Sequence, residues 1–544
     1  MVPPNVPALG HEIARTILTS ACLVAIACTN AGPRSAAQRE AAAPALITIL
    51  HTNDIHGDLS PFPVDTGSAT AQTGDTGRPY QQYERAGVIG GFARLAGAVE
   101  ALRTARGRDN VLLVDAGDTF GDGLLANLTR GAATLRLMDA LGYTFMALGN
   151  HDYEYTAAQT RAMQGGVRFP MRAANAIVRD TGEPFLGDPT IVRTVGGVRV
   201  GLLAITYHNT DQTGNKNNTR ELRFASGIDA ARRWVPELRK RAEVIVVVSH
   251  QGTVVDSLLA SRVPGIDIIV GGHSHDRIEP PRRIPNTTTW MVQALSDASA
   301  LGELTLDVVG GRVTNVRGAV HELYADEYPL DDRYARMLDS IRAPYKDTLE
   351  AVVATAAERI GREYKSESPV DRLAAELLRR YAEAEVALLP GLGFGITWQS
   401  GSVTREMLVE MFPHPTPLVR EMMTGAQLMR VLEQSATNLR PADDMDRVGG
   451  LVQTAGIRWT LDFRQPVGRR VSNVSIGGAP LDPVRRYRVV TNGGMLQGTH
   501  RYSAFAEGSE IVRDATPVVV VLEQAMRALG TLRAPSGGDV TILR

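Results

Sequence analysis

Cysteine is almost missing from this chain: Cys22 and Cys28 are the only two in 544 residues, and both lie among the first thirty. A structural disulfide, a thiolate zinc site or a cysteine nucleophile in the folded body is therefore excluded. Excess charge of either sign is lacking too. The formal net charge is −1, so there is no electrostatic footprint for a nucleic-acid polymer. Long apolar runs are absent apart from Ile17 to Ala27, which is too short to span a bilayer as a helix. Histidine is scarce, at 11 residues, and its placement is correspondingly informative. The remainder is ordinary globular composition, with 44% hydrophobic and 22% charged residues. The length suffices for two to four domains.

The run Ile17 to Ala27 has the length of a signal-peptide core and follows Arg15. Ala25-Ile26-Ala27-Cys28 resembles a bacterial lipobox, in which Cys28 is lipidated after cleavage. An ordinary secretory signal cleaved nearby is the alternative. Residues 29–45, rich in Ala, Pro, Ser and Arg, read as a flexible tether. The expectation is an exported protein, in the periplasm or on the outer cell surface, attached to membrane only through an N-terminal lipid.

From Leu46 onward, strand-like runs alternate with helix-like stretches. Ile47–Leu50, Val111–Val114, Phe145–Leu148, Val198–Ile205, Val244–Val248, Ile266–Val270 and Leu304–Val308 are short apolar runs bounded by polar or glycine residues, as buried strands are. Gly87 to Arg106 has helical spacing through Phe92, Leu95, Val99 and Leu102. Leu135–Leu141 is a second, shorter helix, and residues 60–86 read as a surface loop. The alternation predicts an α/β layered domain. Asp326 to Leu349 reads as a connecting helix, and residues 350–544 return to mixed helices and strands.

Five of the strand-like runs end in side chains that bind metals. Asp54 and His56 follow the first, Asp118 the second, Asn150 and His151 the third, His250 the next, and His273 and His275 the last. Five of the 11 histidines sit at these tips. One such tip is an ordinary turn or helix cap; five in succession at the same sheet edge point to a site. Carboxylate and amide oxygens mixed with imidazoles suit manganese, iron, cobalt or zinc rather than calcium. Seven candidate ligands exceed the needs of one ion, so a two-metal site is expected.

The series Asp54-x-His56, Gly117-Asp118, Gly149-Asn150-His151, His250 and Gly272-His273-x-His275 resembles the calcineurin-like metallophosphoesterases, over roughly residues 46–310. The order, the spacing and the downstream half resemble the secreted 5′-nucleotidase and UDP-sugar hydrolase branch. This resemblance implies a four-layer β-sandwich flanked by helices over residues 46–325, a linker helix at 326–349 and an α+β substrate domain at 350–544. It also implies roles. Asp54, His56 and His275 would hold one divalent metal, Asn150, His250 and His273 the other, and Asp118 would bridge them. His151 matches the family's catalytic histidine, with Glu154 at the position of its usual Asp partner. The implied activity is hydrolysis of a small phosphoester, nucleotide-like, by metal-activated water.

The chain departs from that pattern in its second half. Pro390-Gly391-Leu392-Gly393-Phe394-Gly395 stands where the family has a turn carrying a phosphate-holding Arg. The stretches Gln453–Gly456 and Asn492–Met495, where base-stacking aromatics are usual, contain no aromatic ring. Arg458, Arg501, Tyr502 and Phe505 are the candidates to take over substrate contacts. Arg447-Val448-Gly449-Gly450 and the Pro390-Gly391 turn also resemble the thiosulfohydrolases of sulfur oxidation, which is the alternative activity. A surface-tethered binding protein with a vestigial metal site is the third reading.

Overall fold

Strand Ala45–Thr52 lies inside the larger sheet of the amino-terminal half. It pairs in parallel with Val111–Asp115 and antiparallel with Ala300–Val309. Phe145–Ala147 and Met171–Val178 extend the parallel array. A second sheet sets Val198–Ile205, Val244–Ser249 and Ile268–Gly271 side by side, also parallel. These strands are buried along nearly their whole length, which is why they are written in continuous Val, Ile and Leu rather than in alternation. The computed structural model describes residues 44–64, 66 and 83–543; the signal-peptide, tether and Cys28 expectations fall outside them.

The two sheets pack face to face. Ile47, Ile49, Leu112, Val114 and Phe145 from one meet Val200, Leu202, Val246, Val248 and Ile268 from the other. Strand side chains alternate between faces, so Leu50, Leu113 and Met146 point the other way. There they join Phe92, Leu95, Val99, Leu137 and Met138 of the covering helices. Helices Gly227–Arg239 and Thr253–Arg262 cover the second sheet through Ile228, Ala231, Val235, Leu238 and Leu259. The result is the expected helix–sheet–sheet–helix sandwich. Parallel strands deliver their carboxyl ends to one edge, and that edge carries every histidine-bearing tip.

Three local expectations change. The first helix begins at Phe92, because Gly87–Ile89 is a strand paired with Phe62–Val64, and Gly90 and Gly91 turn the chain at φ 74° and 88°. The strand expected at Leu304–Val308 spans Ala300–Val309 and returns as Arg312–Glu322. Gly310 and Gly311, at φ 56° and 75°, make the tight hairpin turn that needs two successive positive φ values. The stretch 326–349 holds helix Asp332–Arg342, whose N-cap Asp331 accepts from the backbone of Arg333 and Tyr334, and a short helix Lys346–Leu349. Tyr334 and Leu338 pack this connection onto the amino-terminal core.

The second half is built on a five-stranded sheet containing Val386–Gly391, Pro417–Thr424 and Arg486–Asn492. Helix Gly425–Leu439 packs on it and starts with a reciprocal capping box between Thr424 and Gln427, the arrangement that satisfies two backbone donors at once. The two halves touch. Arg342 makes a two-pronged ion pair with Glu406, at 2.6 and 2.8 Å, and Tyr207 donates its hydroxyl to the Arg447 carbonyl at 2.7 Å. Among the described residues no helix is long and apolar enough to cross a membrane.

Candidate metal centre and cleft

The tips that emerge from the shared edge converge. Asp54 Oδ1 lies 3.2 Å from His275 Nε2 and 3.9 Å from His56 Nε2. Beside them, Asp118 Oδ2 lies 2.9 Å from His250 Nε2, and His273 completes a second group with these two. His250 Nε2 is also 3.8 Å from Asp54 Oδ1, so the two groups are contiguous. Asn150 is buried nearby, and its Oδ1 has no hydrogen-bond partner.

The backbone is bent to achieve this. Asp54, His56, Asp118, His273 and His275 all adopt left-handed conformations, with φ between 53° and 73°. Such values are costly for residues with a Cβ and gather where surrounding structure enforces them for function. Asp152 supplies part of the enforcement: its carboxylate accepts from the backbone N–H groups of Asp118, Thr119 and Gly149, at 2.8–2.9 Å. It thereby ties two tips together. Gly149 is required here because a side chain at that position would run into the Asp118 carboxylate.

The nitrogens themselves test whether cations fit. His250 donates from Nδ1 to the Ala116 carbonyl at 2.7 Å, which leaves Nε2 as the nitrogen that faces the carboxylates. Although that nitrogen is 2.9 Å from Asp118, it makes no hydrogen bond. His56 Nδ1 is likewise committed to Asp122 Oδ2 at 2.8 Å, and its Nε2 faces His275 Nε2 at 3.2 Å. Facing imidazole nitrogens beside carboxylates form a donor set for divalent cations, with the outer nitrogens of His250 and His56 fixed as in known metal sites. Burial opposes protonation of the His250 imidazole, but Asp118 and Asp54 outweigh it and raise its pKa to about 9; a cation at Nε2 would take the place of that proton. Burial opposes ionisation of Asp118, but the imidazoles of His250 and His151 hold its carboxyl below the ordinary range. Burial pushes His273 down to about 3, keeping it in the neutral form that ligates.

His151 stands next to these groups. Its backbone N–H donates to Asp118 Oδ1 at 2.6 Å, and its Nδ1 is 3.0 Å from Asp122 Oδ2 and 3.1 Å from Oδ1. Glu154, expected as its partner, has its nearest oxygen 3.9 Å away and makes no hydrogen bond to it. Asp122 is the nearer carboxylate, reaching His151 from the loop after Asp118, whereas the Glu154 side chain turns towards His414 at 3.3 Å. Burial works against charge on His151, but Asp122 and Asp118 outweigh it and raise its pKa well above the ordinary value.

Above the tips opens a cleft of ≈ 340 Å³ walled by both halves. Its far wall includes Pro390, Phe394, His414, Asn492 and His500, together with Tyr364. Phe394 sits edge-on to His151, with ring centres 5.0 Å apart. Arg362 holds that turn from behind: it pairs with Asp371 and donates to the Phe394 and Met411 carbonyls at 2.8 and 2.7 Å. The four expected substrate residues are not in this wall. Tyr502 and Phe505 are buried in the core of the second half, because their rings complete its apolar packing. Arg458 is exposed on another sheet, 3.8 Å from Asp539. Arg501 is spent on Asp446 and Asn209, at 3.0 and 3.3 Å.

Asp122, Tyr364, Phe394 and His414 were not singled out from the sequence. Asp122 follows Asp118 by four residues, and nothing local marks it as more than a turn residue. The other three approach the tips only through the packing of the second half.

Residues 47–277 match the calcineurin-like phosphoesterase model, and residues 352–507 match that of the 5′-nucleotidase, C-terminal domain. The chain belongs to the calcineurin-like phosphoesterases with a 5′-nucleotidase C-terminal domain. This phosphoesterase is 25% identical to protein UshA of Yersinia enterocolitica over 497 residues, 82% of this chain and 84% of that one. It resembles the solved 5′-nucleotidase precursor of Thermus thermophilus at 26% identity and a TM-score of 0.80, over 92% of this chain and 99% of the other. It also resembles the Thermus thermophilus sulfate thiohydrolase SoxB, at 25% identity and 0.82, over 91% and 96%. The phosphoesterase is thus a metal-dependent hydrolase of the 5′-nucleotidase type.

Proposed function

We propose that this phosphoesterase hydrolyses small nucleotide-like phosphoesters with two divalent ions, releasing phosphate and an alcohol. Asp54, His56 and His275 hold one ion, Asn150, His250 and His273 the other, and Asp118 lies between them. The observation that carries this reading is the convergence of imidazole nitrogens on carboxylates: His56 Nε2 and His275 Nε2 face each other at 3.2 Å beside Asp54, and His250 Nε2 lies 2.9 Å from Asp118 without a hydrogen bond. When bound, the ions activate water and neutralise charge on the phosphoryl group.

The chain's own residues do the rest. His151, anchored at Nδ1 by Asp122, stabilises charge on the phosphoryl or leaving oxygen and supplies a proton there. Asp152 keeps the tips in register. Phe394 and Tyr364 exclude water from the cleft and offer apolar surface to a substrate. The nucleotide class is supported by the likeness to the Yersinia and Thermus proteins.

The likeness to sulfate thiohydrolase SoxB favours one second reading, hydrolysis of a thiosulfonate. Metal analysis joined to a panel of nucleotides, UDP-sugars, cyclic nucleotides and cysteine-S-thiosulfonate separates the two. Phosphate release from nucleotides is expected; turnover of the thiosulfonate alone would transfer the protein to the second reading. Silence with manganese, zinc, iron and cobalt would leave a binding protein. Export and lipidation at Cys28 belong to the same proposal, on the strength of the lipobox-like segment alone.

A further inference from the structure

Beside the paired clusters, a separate set of ligand-type atoms gathers where the two halves meet. His414 comes from the second half, in Pro413-His414-Pro415, and the Pro413 carbonyl accepts from Asn127 of the first half at 3.3 Å. His414 Nε2 lies 3.3 Å from Glu154 Oε1 and 3.4 Å from Asp122 Oδ1. His151 Nδ1 is 3.1 Å from that same Asp122 oxygen and 3.9 Å from Glu154 Oε1.

Two imidazole nitrogens and two carboxylate oxygens thus follow one another around a ring at 3.1–3.9 Å, and ligand atoms of His151, Glu154 and His414 all lie within 4.8 Å of one another. A tetrahedral zinc ion with ligand bonds of about 2.0–2.2 Å places its ligand atoms roughly 3.3–3.6 Å apart. The separations made by His414 Nε2, 3.3 and 3.4 Å, fall in that range. His414 Nε2 is fully buried yet makes no hydrogen bond to either neighbouring oxygen, so it is directed between them rather than at one. His250 Nε2 shows the same signature beside Asp118. The rings are held in place: His414 stacks on His151 at 5.6 Å and 24°, and Phe394 meets both edge-on. Asp122 can serve here without releasing His56, which uses its other oxygen.

We propose that His151, Glu154 and His414 hold a third divalent cation, with the Asp122 carboxylate beside it, at a site that joins the two halves and captures His151 when filled. His151 Nδ1 gives its proton to solvent on ligation; Nε2 keeps its own, but the ring loses the imidazolium charge with which it stabilises the phosphoryl oxygens. Filling the site therefore inhibits hydrolysis and fastens the cleft. The inhibition rests on the role given to His151 above; the binding does not.

The test titrates zinc into the metal-loaded full chain and counts total metal per chain after removal of free ion, for wild type, His414→Ala and Glu154→Gln. Wild type is expected to hold one more equivalent than either variant. Its turnover should fall about tenfold or more as that equivalent binds, and its melting temperature should rise. Each variant, compared with its own rate before zinc, should be spared. Equal metal counts in wild type and both variants would overturn the site and leave His414 as a plain ion-pair partner of Glu154. An extra equivalent in wild type without loss of turnover would overturn the inhibition. A chain inactive on every substrate still returns the count, so failure of the hydrolase reading is distinguishable.

Discussion

Asp122 and His151 form the closest carboxylate–imidazole contact of the candidate catalytic histidine, with Oδ2 3.0 Å from Nδ1. Glu154, the residue in the family's partner position, is 3.9 Å away. Asp122→Asn should therefore lower turnover about tenfold or more at saturating metal, while Glu154→Gln should cost less than that. The same change loosens His56, so metal affinity should drop as well, by the 10–100-fold typical of a lost outer partner. Steady-state kinetics over a metal titration check both. An equal or larger loss in Glu154→Gln would return the partnership to position 154.

Asp118 lies 2.9 Å from His250 of the second group and also receives the His151 backbone N–H. Asp118→Asn should lose bound metal and activity together. Elemental analysis of the purified variant decides it: two retained ions with near-normal turnover would remove Asp118 from the bridging position.

His151→Ala should behave differently. It should lower turnover by roughly 10²–10⁴ while leaving the two resident ions bound. A variant that arrives without metal would move His151 into the ligand set.

Base selectivity should be weak. A base stacked on an aromatic ring gains about 1–3 kcal/mol, but Phe394 is nearly buried and turns its edge to His151 and His414. Tyr502 and Phe505 are in the core. Specificity constants for AMP, GMP, CMP and UMP should lie within about tenfold of one another. A preference beyond about a hundredfold, abolished by Tyr364→Ala, would show that Tyr364 reads the base.

Glu421 makes stability fall with rising pH. It is buried in strand Pro417–Thr424, neither oxygen is hydrogen-bonded, and burial pushes its carboxyl up to about 8 from an ordinary 4.5. Below the unfolded value the group is neutral in both states and nothing is lost. Between about 4.5 and 8 the unfolded chain ionises while the folded one resists, so stability declines across that window. Glu421→Gln should raise the melting temperature at pH 8 more than at pH 5. A variant with the same pH slope as wild type would show that Glu421 is not the group responsible.

The sandwich and its metal-binding edge were legible in the sequence because both are written locally. An apolar run four to eight residues long declares a buried strand, and the residues just after it must lie at the strand's end. Once the strands are parallel, seven ligand-type side chains at their carboxyl ends share one edge whatever the loops do. Glycine supported the reading only where backbone crowding demanded it, as at Gly149. The hairpin after Val309 and the true start of the first helix depended on glycine pairs whose φ angles no periodicity displays.

What the sequence by itself determined, then, is the layered fold, the family and the cluster of Asp and His at the tips. Only the tertiary structure decided which carboxylate faces His151, since Glu154 is three residues from it along the chain and Asp122 is 29, the reverse of their order in space. It alone decided that His414 and Phe394, far along the chain, meet His151, and that Tyr502 and Phe505 do not. Those choices follow from how the second half packs against the first, where burial of apolar rings and the Arg362 and Arg342 ion pairs outweigh anything encoded in a local pattern.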